Sequence, residues 1–224
     1  MHDLWYIFAQ GATITPADHP AQDLLVAEVI LAREIGPLKS DEEPWVSAPW
    51  LTENGWVWSD LPYLVPDLEE FWQSNKHNLN NGHLRNLAAF IARLVAQGVR
   101  PSELCVCALH VFSDALEDKE ENKQSGSVEE DISNSSAIRV ARFLPAVQAW
   151  LQYAGHRLAG FSLQNASKGF SMERWTLWHQ KLQTIFRDNN QDQVTRELAR
   201  RGMNSMCLWN TQVGKPTEIE AVFQ

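Results

Sequence analysis

The chain has 224 residues and a formal net charge of −9 at pH 7, with 44% hydrophobic and 21% charged residues. This length and composition are typical of one globular domain with a sizeable core. The acidic balance argues against a nucleic-acid partner, because phosphate binding requires clustered lysines and arginines. No apolar run approaches the roughly 18 residues that a membrane span needs, so we also expect no membrane-spanning segment.

The cysteine count and the N-terminal segment indicate a reduced compartment. Three cysteines cannot build a disulfide framework. The segment before Arg33 contains no lysine or arginine, so it lacks the basic region of a secretory signal peptide. We therefore expect a cytoplasmic protein.

The spacing of hydrophobic residues predicts helices almost throughout the chain. The second helix is the best marked, with Pro20 near its start and Gly36 just past its end. Pro145 either kinks one long helix or starts a second one. No stretch alternates with a period of two for long enough to predict a strand. The predicted helices cover about 3–10, 20–35, 66–73, 83–97, 101–118, 135–154, 171–186 and 191–210.

These segments predict an all-α fold, an irregular single-domain bundle of about seven to nine helices over residues 1–224. The stretch 117–131 is acidic, contains serine and glycine and has no large apolar cluster. We expect it to be a mobile surface loop. A short C-terminal tail is expected from residue 211.

Several well-defined catalytic motifs are absent from the sequence. It contains no G-x-G-x-x-G, no P-loop, no G-x-S-x-G and no H-E-x-x-H. The pair Cys105 and Cys107 alone cannot supply four zinc ligands. We therefore expect neither a nucleotide, nor a metal, nor another cofactor.

A line of polar residues on one side of the fifth predicted helix is the first candidate site. Glu103, His110, Asp114 and Glu117 recur on the same side of that helix. His110 and Asp114 are four residues apart and can hydrogen-bond, an arrangement typical of a general base. The alternative is a helix edge that faces solvent.

Tryptophans provide the other candidate sites, because the chain has ten of them. Trp175 and Trp178 share a helical face and have His179 beside them, which is typical either of a core or of a pocket wall. The stretch EPWVSAPWLTENGWVWSDLP (43–62) carries four more and is either a lid or a packed loop, in which Asp60 is expected to cap the next helix. The predicted catalytic residues are His110, Asp114 and His179; the predicted substrate-binding residues are Trp50, Trp56, Trp58, Trp72, Trp150, Trp175 and Trp178.

Successive short blocks of the sequence carry a family resemblance. The clearest are HPAQD at 19–23, WSDLP at 58–62, and Trp150 with Gly155. In this order the blocks resemble those of a fungal family of helical proteins of unknown general function, over about residues 3–209. The resemblance implies an all-α fold in a fungal cytoplasm, with some relatives among natural-product genes. It implies no catalytic residues.

Two functions remain open from the sequence. The first is a cofactor-independent protein that binds a hydrophobic small molecule and cyclises or isomerises it, because such a step needs mostly shape and orientation. The second is a non-enzymatic helical protein that acts as an interaction module or homodimer through exposed aromatic residues. A weaker third hypothesis is a hydrolase or lyase that uses His110 and Asp114.

Overall fold

The computed structural model describes residues 2–35, 51–53, 55–117, 129–165 and 169–212. Eight helices and one two-stranded antiparallel ribbon lie within these ranges, which confirms the prediction of an all-α bundle of seven to nine helices. The elements are α1 (His2–Ile14), α2 (Ala21–Ile35), β1 (Leu51–Thr52), β2 (Gly55–Trp56), α3 (Leu64–Asn75), α4 (Asn81–Ala96), α5 (Pro101–Leu116), α6 (Glu129–Gln164), α7 (Met172–Arg187) and α8 (Gln193–Gln212).

Helix α4 lies at the centre of the bundle. Its N-cap is Asn80, whose side-chain oxygen accepts a hydrogen bond from the His83 amide at 2.8 Å. From Leu84 to Val95 every residue except Arg85 and Arg93 is buried. Because α4 is apolar on nearly all sides, it packs against α1, α2, α5 and α6 at once.

Helix α6 runs through Pro145 without a break, so the sequence alternative of two separate helices is not what forms. Its C-terminal half buries Trp150, Leu151 and Leu158 against α4, α5 and α8. Gly155 and Gly202 mark the close approach of α6 to α8. A Cβ on Gly202 would meet the Leu182 and Leu151 side chains at 3.2 and 3.4 Å, and one on Gly155 would overlap the Trp209 indole.

Two buried amides fix the turn between α1 and α2 onto α4. Asn86 accepts from the Ala17 amide at 2.8 Å and donates to the Thr13 carbonyl at 2.9 Å. Gln22, which has no exposed surface, donates to the Ala12, Thr15 and Asn86 carbonyls. These amides satisfy buried backbone groups where the chain leaves one helix and enters the next.

The Trp-rich segment is described only from residue 51 onward and without residue 54. There β1 pairs with β2, and the Asp60 carboxylate accepts from the Trp56 amide at 2.7 Å. The prediction that Asp60 caps the next helix is wrong: Tyr63 occupies the N-cap of α3 and makes no side-chain cap bond. The Asp60 carboxylate instead folds back onto β2, where it lies against Gly55, whose φ is positive at 114°.

Two further predicted features lie largely outside the described residues. Residues 118–128 of the predicted acidic loop and 213–224 of the predicted tail are among the ranges not described; Glu117 directly follows α5, residues 129–131 belong to α6, and residues 211–212 belong to α8. Within the described ranges, no helix combines the length and the apolar character required to cross a membrane.

Candidate functional site

The polar line on α5 faces α3. His110 Nε2 lies 3.1 Å from Glu69 Oε1, and Asp114 Oδ2 accepts from Lys76 Nζ at 2.7 Å. The Lys76–Asp114 pair is nearly buried, whereas about a third of the His110 side chain is exposed. The structure therefore gives His110 and Asp114, two of the three predicted catalytic residues, ionisable partners from the α3 side of the bundle. Their catalytic role stays a prediction.

Glu117, at the end of this line, joins α5 to α7. Its carboxylate accepts three hydrogen bonds from the Arg174 guanidinium at 2.7 to 3.0 Å. It also accepts the indole N–H of Trp178 at 2.8 Å. Charge-assisted bonds of this kind are among the strongest in proteins. Glu117 therefore orients both an arginine and a buried tryptophan of α7.

Most of the predicted substrate-binding tryptophans lie in the core. Trp72, Trp150, Trp175 and Trp178 are each at most 1% exposed. Trp175 donates its N–H to Asn210 at 2.9 Å, whereas the N–H groups of Trp72 and Trp150 have no acceptor among the described residues. Trp56 and Trp58 are half-buried, and Trp50 lies outside the described residues. The predicted ligand contacts of these residues remain a prediction.

His179 lies beside the two tryptophans of α7 and is buried. Its Nε2 is 3.6 Å from the Cys207 sulfur of α8. Burial lowers the pKa of His179 below its ordinary value, because the imidazolium form loses its hydration. The same burial raises the pKa of the Cys207 thiol. Near neutral pH both groups are therefore held in their uncharged forms.

A cleft of about 500 Å³ lies between α2, α4 and α6. We call it the Arg93 cleft. Its size falls within the range of small-molecule sites. Its apolar wall includes Val26 and Ile30 of α2 and Ala96 of α4, and its polar side is formed by Asp23, Arg93 and Tyr153.

Arg93 is the central polar group of this cleft, with only 13% of its side chain exposed. Its Nε pairs with the exposed Asp23 carboxylate at 2.9 Å, and its Nη groups donate to the Ala17 and Ala89 carbonyls at 2.8 and 3.5 Å. A guanidinium has five N–H groups. Three of them serve these acceptors, and the Tyr153 hydroxyl lies close enough to the guanidinium to interact with it as well.

Tyr153 holds the guanidinium from the other side. The Arg93 guanidinium carbon lies 3.7 Å from the centre of the tyrosine ring, which is a cation–π contact. The hydroxyl donates to Asp18 at 2.9 Å, and Asp18 also accepts from Arg85 at 2.7 Å. Burial and the bond to Asp18 raise the pKa of Tyr153, so its hydroxyl keeps its proton. The bond from Arg85, which is the largest cause, lowers the pKa of Asp18.

The sequence analysis missed Arg93 and Tyr153. The sequence feature that could have identified Arg93 is its position inside the mostly apolar run LAAFIARLVA, where a charge requires partners. Asp23, in contrast, belongs to the HPAQD block that carried the family resemblance. The described residues contain no group of three His, Cys, Asp or Glu side chains that could hold a metal ion.

A comparison with family models gives a match over residues 5–182 to the family described as "Protein of unknown function (DUF3632)". The chain belongs to the DUF3632 family. The matched region of this DUF3632 protein contains every residue of the Arg93 cleft, and the whole of α8 lies beyond it. The match confirms the resemblance to a family of unknown function.

Among curated proteins, the chain is similar to "Oxopyrrolidines biosynthesis cluster protein G" of Penicillium oxalicum. The two are 27% identical over 255 aligned positions, which cover the whole of this chain and 70% of the relative. The relative is a fungal protein named for a biosynthesis cluster, in agreement with the resemblance seen in the sequence. No solved structure gives a significant match.

Proposed function

We propose that this DUF3632 protein acts in natural-product biosynthesis by binding a partly apolar small molecule in the Arg93 cleft. The name of the Penicillium relative supports the part of the proposal that concerns natural-product biosynthesis. The observation that carries the proposal is a nearly buried guanidinium whose carboxylate partner is largely exposed, set in a cleft of ligand size. Such a group is a specific receptor for a carbonyl or carboxylate oxygen.

The surroundings of Arg93 suit a ligand with one polar end and an apolar body. The Asp23 carboxylate that pairs with Arg93 is 72% exposed, so a ligand oxygen can share or replace it at little cost. Val26 and Ile30 offer an apolar wall to the rest of the molecule. The ring carbonyl of an oxopyrrolidine is an acceptor of the required kind.

The finer part of the proposal is a cyclisation or isomerisation of this ligand without a cofactor. The cleft would hold a flexible substrate in a reactive conformation, which lowers a barrier by orientation. Arg93 would stabilise negative charge that develops on the substrate oxygen. Tyr153, whose raised pKa keeps its hydroxyl protonated, would turn the hydrogen that it now donates to Asp18 toward the substrate oxygen and would not act as a base.

Calorimetric titration with pyrrolidin-2-ones that carry an apolar substituent tests the binding proposal. We expect saturable binding that Arg93→Met weakens by at least about tenfold, because charge-assisted hydrogen bonds are lost. Arg93→Lys keeps the charge without the planar fork and should give an intermediate affinity. Arg187→Met, at an exposed site on α7, is the control that should change nothing. Absence of binding, or equal binding by Arg93→Met, would overturn the proposal.

Turnover needs a separate readout. A cyclisation or isomerisation keeps the mass of the substrate, so a product is recognised as a new chromatographic peak of unchanged mass. We expect Tyr153→Phe to slow its formation by about tenfold or more while the ring contact to Arg93 is kept. Binding without any such product would refute the enzymatic part and leave the binding proposal intact.

The alternative function is a homodimer, and one observation favours it. Exposed apolar side chains recur seven residues apart on two neighbouring helices: Ile7 and Ile14 on α1, and Leu24 and Leu31 on α2. Such rows are typical of helix–helix interfaces. Light scattering after size exclusion should then give a dimer that Leu24→Gln with Leu31→Gln dissociates. A monomer at all concentrations would exclude it.

A further inference from the structure

Two further arginines lie at one end of the Arg93 cleft. On α2 the last residue that lines the cleft is Ile30, and Arg33 follows it by three residues on the same face. On α6 the lining residue is Tyr153, and Arg157 follows it by four residues. Both arginines are therefore one helical turn beyond the lining residues of their own helices.

Both side chains reach the C-terminal end of α4, which forms this end of the cleft. Arg33 Nη1 donates to the Gly98 carbonyl at 3.3 Å, and Arg157 Nη2 donates to the Ala96 carbonyl at 3.4 Å. Ala96 itself lines the cleft, as does Gln97 next to it. The two guanidinium groups therefore converge on the end of the cleft from two different helices.

The contacts that Arg33 and Arg157 make are weak. Both distances exceed the roughly 2.7–3.2 Å that is usual between an N–H donor and an oxygen. The carboxylate that pairs with Arg33 belongs to Glu34 and is 65% exposed, and the described residues give the exposed Arg157 no carboxylate partner. The C-terminal end of a helix attracts cations, which explains why arginines lie here. Contacts of this kind leave both guanidinium groups able to turn toward an anion.

The wall between Arg93 and this end of the cleft is apolar. It is formed by Val26, Ala27 and Ile30 of α2 and by Ala96 of α4. Arg93 precedes Ala96 by three residues, which corresponds to about 5 Å along the axis of α4. A ligand with polar groups at both ends and a short apolar chain between them can therefore span the cleft.

We propose that the Arg93 cleft selects ligands with a carboxylate at one end, which Arg33 and Arg157 bind beside the end of α4. This inference rests on the proposed function, because Arg93 holds the carbonyl oxygen of the same molecule. The carboxylate lies at the arginine pair because Arg93 already has the Asp23 carboxylate, whereas Arg157 has none. The ligand class is an acid joined by a short apolar chain to a cyclic amide or ketone. Arg33 and Arg157 then determine specificity.

The test is a calorimetric titration of the full chain with two ligands that differ in charge, 4-(2-oxopyrrolidin-1-yl)butanoate and the corresponding butanamide. We expect the carboxylate to bind about fivefold more tightly than the amide, and this preference to shrink in high salt, because both arginines are partly solvated. Arg33→Met combined with Arg157→Met should abolish the preference and leave the affinity for the amide unchanged. Arg157→Lys keeps the charge and should keep the preference.

Arg93→Met separates this inference from the proposed function, because it should weaken the binding of both ligands to a similar degree. Equal affinities for the two ligands, or a preference that survives the double substitution, would overturn the inference alone if Arg93→Met still weakens binding. Absence of binding by both ligands would overturn the proposed function as well.

Two controls keep the result decisive. Arg187→Met removes one positive charge at an exposed site on α7 and should leave the preference unchanged. If it lowered the preference as much as the double substitution does, the preference would reflect only the net charge of the chain, and the inference would be wrong. Arg157→Met alone should reduce the preference, and it replaces the double variant if a circular dichroism melt shows that the latter does not fold.

Discussion

His179 is a histidine that folding removes from water, and the stability of the protein should therefore depend on pH. Its pKa lies below the ordinary value of 6.5 in the folded chain and returns to that value on unfolding. Below pH 6.5 the unfolded chain binds more protons, so the free energy of unfolding falls as pH falls toward the folded pKa. The stability that depends on keeping His179 uncharged is therefore fully present above pH 6.5 and is lost as the pH falls.

We expect His179→Gln to reduce the loss of stability between pH 7 and pH 5. The measurement is urea unfolding across this range for both proteins. His77→Gln, at an exposed position outside the helices, is the control and should keep the wild-type slope. If the free energy of unfolding of His179→Gln fell with pH as steeply as that of the wild type, burial of this imidazole would not be the cause of the pH dependence.

At Trp178 the contributions of packing and of hydrogen bonding to stability can be measured separately. It is completely buried, touches Phe112 and Phe170, and donates to Glu117. Trp178→Ala should lower the free energy of unfolding by about 3–5 kcal/mol, and Trp178→Phe by about 1–2 kcal/mol through loss of the bond. Denaturant titration checks both values.

Leu177→Ala is the matched control for Trp178. It lies on the same helix but is 48% exposed, so it should cost less than about 1 kcal/mol. If Trp178→Ala were as stable as this control, the tryptophan would not be a core residue, and the prediction that it lines a ligand pocket would gain support.

At the residue scale, the sequence predicted which side chains are unusual but not their partners. The four-residue spacing of His110 and Asp114 allowed a hydrogen bond between them. The structure brings Glu69 and Lys76 to them from 41 and 38 residues away in the chain. Partners at such separations follow from helix packing, which local spacing does not contain. Arg93 was missed for the same reason, since its two closest acceptors come from α2 and from the turn before it.

At the element scale, alanine substitutions at two glycines of α6 test how closely α8 approaches α6. A methyl group on Gly155 would overlap the Trp209 indole, whose N–H donates to the Leu151 carbonyl at 3.0 Å. Gly155→Ala should therefore cost about 1–3 kcal/mol by overpacking. Gly160→Ala on the same helix meets nothing within 4 Å and should stabilise by about 0.5–1 kcal/mol.

Thermal unfolding of the two alanine variants measures this difference, because both gain the same helix propensity. Opposite signs would confirm that the α6–α8 contact requires Gly155. Equal stability of the two variants would show that Trp209 moves aside without cost. The wild-type protein is the reference for both.

Helix positions could be predicted from sequence because they depend on local spacing and on stop signals. The predicted helices at 101–118 and 171–186 start where α5 and α7 do: Pro101 opens α5, and Ser171 caps α7 by accepting from the Arg174 amide. The buried face of α2 was harder to predict. Leu24 and Leu31 look like a core row but are 68% and 55% exposed, while Val26 and Val29 are buried. Which of two apolar rows faces inward is decided by the neighbouring helices.

At the scale of the whole molecule, α4 joins two groups of helices. Helices α5 and α6 pack on α4, and α7 and α8 pack on α6 and on each other. Helices α1 and α2 make few contacts with each other and are held mainly through α4 and α3. The amides of Asn86 and Gln22 supply specific bonds at this junction. We therefore expect α1 and α2 to open before the rest of the bundle, as a separate cooperative unit.

Hydrogen exchange in an Asn86→Ala variant tests this division. The Ala17 amide and the Thr13 carbonyl would both lose a buried partner, at a cost of about 1–3 kcal/mol each. We expect protection to fall in α1 and α2 while α5 and α6 keep theirs. Asn81→Ala on the same helix removes only an exposed bond to the Ala141 carbonyl and should change no protection factor. An equal loss of protection in all helices would instead show that the molecule unfolds as one unit, in which binding at the Arg93 cleft stabilises the whole chain.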